Sequence, residues 1–149
     1  MNTEPPSQEH YRDEYKLVFE GYKFFVSIRF ITVAFGTSIH SALITVYSNA
    51  VKENPFNGYA IFSVAILFLL ALLIVERRTT SLFRSFLKRG KELEFHLGIS
   101  DGFFHRITEL SEQKGFRQFI THTWGISLVY AGVFIFWITL LVATIIKEP

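Results

Sequence analysis

The chain has no cysteine and a single methionine. Without thiols, disulfides, thiolate metal sites and cysteine nucleophiles are excluded, and cysteine usage gives no clue to the redox compartment. Histidine occurs five times, but no His has a second His four residues on or a Glu three residues before it, so helical metal-ligand spacings are absent. The phosphate-binding loop and the dinucleotide glycine fingerprint are missing as well. Glu94, His96, His105, Glu109 and His122 are therefore left without a catalytic pattern. The expectation is a non-enzymatic protein with no catalytic residue, no metal and no cofactor. Neither an internal repeat nor a low-complexity tract is visible.

What is present is hydrocarbon. Half of the 149 residues are hydrophobic and 17 are Phe. They gather in three blocks with charge between them, the distribution of a membrane protein. The blocks are 30–51, 59–75 and 124–146. At about 1.5 Å of rise per residue each reaches across a ~30 Å hydrocarbon core, the second only if upright or extended by Asn57-Gly58. Three spans cannot close a barrel, so they are helices. Thirteen of the fifteen Lys and Arg fall in 1–29 and 76–123, and only Lys52 and Lys147 lie elsewhere. The excess of positive charge puts the N-terminus and the long loop in the cytosol and the C-terminus outside, in the cell's inner (plasma) membrane. Ser48-Asn49-Ala50 has the small residues of a cleavage site. Five acids before the first span (Glu4, Glu9, Asp13, Glu14 and Glu20) argue against a signal peptide.

The loop at 76–123 divides into two nearly equal arms around Gly98-Ile99-Ser100-Asp101-Gly102, a helix-stopping Gly followed by a Ser/Asp start signal. Leu82, Phe83, Phe86, Leu87, Leu93 and Leu97 recur at helical spacing in the first arm. Phe103, Phe104, Ile107, Leu110, Phe116 and Phe119 do so in the second, with Gly115 its weak point. A third apolar strip, Tyr11, Tyr15, Val18, Phe19 and Tyr22, lies in a helix over 7–23 that runs into the first span. The expected architecture is an all-α integral membrane protein, 1–149 forming one domain: three transmembrane helices with a cytosolic helical hairpin or bundle.

Two groups of polar residues stand out. His40 falls near the midpoint of the first span, where an ionisable side chain is costly and marks a functional candidate. Around it run the hydroxyls Thr37, Ser41, Thr45 and Ser48 and the small residues Ala34, Ser38 and Ala42. With Arg29 and Glu76 at the inner ends of their spans, Thr37, His40, Ser41 and Thr45 are the candidate pore or gating residues. The plainer reading is a neutral His bonded to another helix, with small residues permitting close packing. The second group is Arg77, Arg78, Arg84, Lys88, Arg89 and Lys91. It serves topology and anionic headgroups, or an anionic ligand such as a nucleotide or oligonucleotide at the cytosolic face.

Glu76-Arg77-Arg78 together with Lys88-Arg89-Gly90-Lys91-Glu92-Leu93-Glu94 and Leu97 resembles the SLATT group of small membrane effectors that accompany prokaryotic anti-phage defence systems. In these, a membrane hairpin is followed by a charged cytosolic helix. The resemblance covers residues 24–97, and the third span departs from it. It implies an oligomeric pore or membrane-disrupting effector, triggered by a nucleotide-type signal from a partner protein. The leading expectation is thus a homo-oligomeric, channel-like effector in the lipid bilayer. The alternative is a non-catalytic scaffold or accessory subunit that binds a membrane or cytosolic protein.

Overall fold

The computed structural model describes residues 7–112 and 122–147, side chains at 110–123 and 147 excepted. Among the described residues the regular structure is wholly helical: α1 (Gln8–Glu53), α2 (Pro55–His96), α3 (Phe103–Glu112) and α4 (His122–Lys147). Helices α1, α2 and α4 are long and apolar enough to cross a membrane. The chain is an all-α, multi-pass membrane protein.

Helix α1 runs without interruption from the aromatic strip through the first span. Helix α2 starts at Pro55, so Phe56-Asn57-Gly58 lengthen the short second run as its length requires. One residue joins the two helices. Asn54 lies between them and its Oδ1 accepts the amide of Phe56 at 2.9 Å, an N-cap with Pro at the first helical position. Gly58 permits the tight return, since a Cβ there would strike Val51. Phe116, Phe119 and Gly115 of the second arm lie outside the described residues, as does the side chain of Leu110.

The chain forms two compact units. One comprises Met1–Arg29 and Arg78–Thr121. Its core is Val18, Leu93 and Phe104, surrounded by Tyr11, Tyr15, Phe19, Tyr22, Phe86 and Leu87. The strip expected on the N-terminal helix is all here. On α2 the inward face is Phe86, Leu87, Gly90 and Leu93, whereas Leu82 lies at the surface. Phe104 is fully buried over Gly90, where its ring occupies the space that a Cβ would need.

The other unit comprises Phe30–Arg77 and His122–Pro149. Leu69, Leu72, Ile126 and Tyr130 form one cluster. Tyr47, Ala65 and Trp137 form a second, with Val133 packed against both. Most of the apolar surface of this unit faces outward, including Phe35, Val46, Leu67, Ile74, Leu128, Ile135 and Ile146. That exposure is costly in water and natural for a lipid-facing helix surface.

Candidate functional site

In the membrane-length unit, His40 and the hydroxyls grouped around it in sequence point different ways. His40 is 2 % exposed. Its Nδ1 accepts a hydrogen bond from the indole Nε1–H of Trp137 at 3.1 Å, and its ring packs on Phe68. Trp137 in turn takes Tyr47 and Phe62 edge-on. Tyr47 completes the polar core, with its hydroxyl 2.7 Å from Thr144 Oγ1 and 3.3 Å from the Leu140 carbonyl.

The opposite face of α1 carries Ala34, Ser38, Ser41, Thr45 and Ser48, all exposed, at alternating steps of four and three residues. Ala42 is exposed beside them and Thr37 is half-buried at their margin. The hydroxyls of Ser38, Thr45, Ser48 and Thr37 are turned back onto α1. Ser38 donates to Ala34 O at 2.9 Å, Thr45 to Ser41 O at 3.3 Å and Ser48 to Ile44 O at 2.9 Å. Thr37 Oγ1 lies within 3.0 Å of both the Val33 and Ala34 carbonyls. The outcome is a row of small side chains in which three of the four hydroxyls, those of Ser38, Thr45 and Ser48, are satisfied within the helix.

Arg29 and Glu76 belong to different units, and both are buried, at 3 % and 8 % exposure. The Arg29 guanidinium sits 5.6 Å from the centre of the Phe83 ring, a cation–π contact.

The six cations of α2 separate into two kinds. Arg89 faces α1 and grips Glu14 through two bonds, Nε to Oε1 at 2.7 Å and Nη2 to Oε2 at 2.8 Å, with Glu92 3.1 Å from Nη1. Arg89 holds the Glu14 carboxyl below the usual carboxylate range. It is a structural tie. Arg77, Arg78, Arg84, Lys88 and Lys91 are exposed. Of these, Arg77, Arg84, Lys88 and Lys91 share one helical face with Ser81.

Sequence reasoning gave no role to Glu94, which is 1 % exposed. Helix α2 stops in a Schellman turn, with Gly98 at φ 72° and Ile99 N–H bonding back to Glu94 O at 2.9 Å. The Ser/Asp signal does not cap α3, because Gly102 occupies the cap position, its carbonyl accepting Arg106 N–H. The cap is the Glu94 carboxylate instead. It accepts the amides of Phe104 at 2.8 Å and His105 at 2.9 Å, and the Tyr15 hydroxyl at 3.0 Å. Asp101 is engaged with Arg106 through two bonds. Burial, reinforced by the bond to Glu94, pushes the Tyr15 phenol up to about 12.

Gly98-Ile99-Ser100-Asp101-Gly102, read above only as a turn, also spells G-x-S-x-G. In a nucleophile elbow that pattern joins a strand to a helix. Here it joins two helices, and Ser100 is exposed at the tip of the turn. Among the described residues no cluster of His, Asp and Glu has the grouping of a metal site.

The chain matches no protein-family model, no curated protein and no solved structure.

Proposed function

We propose that the protein is an oligomeric pore-forming or membrane-perturbing effector of the inner membrane. In this reading its N-terminus is cytosolic, its C-terminus lies outside, and the α2–α3 region forms a cytosolic helical hairpin. The observation that carries the reading is the outward row Ala34, Ser38, Ser41, Thr45 and Ser48. Over fourteen residues it extends about 21 Å along α1, enough to line most of a bilayer core. A single protomer would press this row of hydroxyls against lipid tails. Small residues are the surface on which membrane helices approach closely, so another copy of α1, or a water-filled path between copies, suits the row better than hydrocarbon.

The exposed cations of α2 supply the sensing surface. Arg84, Lys88 and Lys91 are not consumed in ion pairs among the described residues, unlike Arg89. An anionic cytosolic ligand of the nucleotide or oligonucleotide kind, delivered by a protein partner in phage defence, fits that surface and the family resemblance.

The test is reconstitution into liposomes with ion or dye flux measured beside oligomer mass in detergent. Wild type is expected to assemble and conduct on triggering, and Ser38→Leu with Ser41→Leu to reduce both. A monomer without flux under every trigger, or an assembly unaffected by the two leucines, would sink the proposal.

A further inference from the structure

The direction of the His40–Trp137 hydrogen bond has a consequence for protons. Indole Nε1–H can only donate. Nδ1 of His40, 3.1 Å away, must therefore present a lone pair. The neutral ring then carries its hydrogen on Nε2, which is buried and has no hydrogen-bond partner. A second proton has only Nδ1 to occupy, and there it would set an N–H against the indole N–H. Imidazolium and this bond exclude one another.

The surroundings do not stabilise a charged ring either. From α2 it faces Phe68, and from α4 Trp137. The titratable groups in the clusters to which Phe68 and Trp137 belong are the phenols Tyr130 and Tyr47, both uncharged in acid. The acid on this part of α2, Glu76, is eight residues past Phe68, about 12 Å of helix rise.

We infer that the His40–Trp137 bond is an acid-released bolt between α1 and α4: it holds while His40 is neutral, and protonation at Nδ1 breaks it and frees the indole. The bolt lies within one protomer, so the inference stands whether or not the assembly conducts.

The experiment uses the full chain in lipid vesicles. Trp124→Phe leaves Trp137 as the sole tryptophan, because the chain has two. Trp137 emission and exchange of its indole N–H are followed from about pH 8 to about pH 4, the range around an ordinary imidazole. The expected result is one step in emission, with indole exchange, taken relative to a free indole at the same pH, about tenfold faster on its acid side, the size of effect that follows from losing one buried hydrogen bond. His40→Asn keeps an acceptor near the Nδ1 position but cannot take up the proton, so the step should vanish while the bond persists. If that variant fails to assemble, His40→Gln serves the same purpose, and the wild-type titration decides alone if both fail. A Trp137 signal flat across the range in folded protein would overturn the inference, as would a step that survives in either variant.

Discussion

Replacing Glu94 by Gln changes almost nothing in size and one thing in chemistry. Both carboxylate oxygens are acceptors, and the three donors around them are the amides of Phe104 and His105 and the hydroxyl of Tyr15. An amide offers one accepting oxygen, and wherever its NH2 is placed it confronts an N–H or O–H. With the amide oxygen in the Oε1 place, two charge-assisted bonds worth about 1.5–3 kcal/mol each become neutral bonds worth about 1 kcal/mol. One buried donor is left unpaired, at about 1–3 kcal/mol. Relief from burying a charge offsets part of the loss, so the expected destabilisation is about 2 kcal/mol. Chemical denaturation in detergent measures the total, and amide exchange at Phe104 and His105 localises it, with rates expected to rise about tenfold for every 1.4 kcal/mol. Glu92→Gln is the control, because that side chain is 44 % exposed and, among the described residues, pairs with Arg89. A change below about 0.5 kcal/mol in Glu94→Gln, the range of ordinary surface substitutions, with both amides still protected, would refute the capping role.

Tyr15 has a raised pKa in the fold, so its contribution is complete below the ordinary value of 10.0 and lost as pH climbs towards about 12. Alkaline unfolding should steepen in that window, and Tyr15→Phe should remove the late tyrosinate step from the absorbance titration. Substituting Arg84, Lys88 and Lys91 together by Gln should leave stability within about 0.5 kcal/mol and abolish the salt-dependent response to an anionic trigger. Arg89→Gln should instead cost about 0.5–1 kcal/mol, since its pair with Glu14 is partly solvated; equal effects on triggering from both variants would contradict the division between them. For orientation, an export-dependent reporter after Pro149 should be active and one at Ser100 silent, and activity at Ser100 would reverse the assigned sidedness.

Residue pattern exposed the helices well, for reasons visible in particular places. Tyr11, Tyr15, Val18, Phe19 and Tyr22 keep one phase into the first span, and α1 is unbroken there. Asn54-Pro55 and Gly98 carry their local chemistry in their side chains or in the lack of one. Leu82 was less legible because it adjoins Phe83 and an apolar stripe tolerates either. The buried face of α2 centres on Phe86, Gly90 and Leu93 and leaves Leu82 outside. The bond between His40 and Trp137 spans 97 positions, and its only signal is that both residues fall near the middle of their apolar runs. Glu94 gave less still. Two of its partners are backbone amides, which every sequence has and no motif records, so an acid beside Leu93 reads as a solvated residue until the turn brings α3 back to it.

Glu94 ends one helix with its carbonyl and begins the next with its carboxylate, which takes the amides ten and eleven residues on, those of Phe104 and His105. The spacing between the two helices is thereby measured by the protein itself. A residue inserted among 99–101 would leave Gly98 terminating α2 as before, yet carry the amides of Phe104 and His105 out of the carboxylate's reach. Side chains at Ile99 and Ser100 can change freely by comparison, since both are exposed. What this joint constrains is the number of its residues far more than their identity.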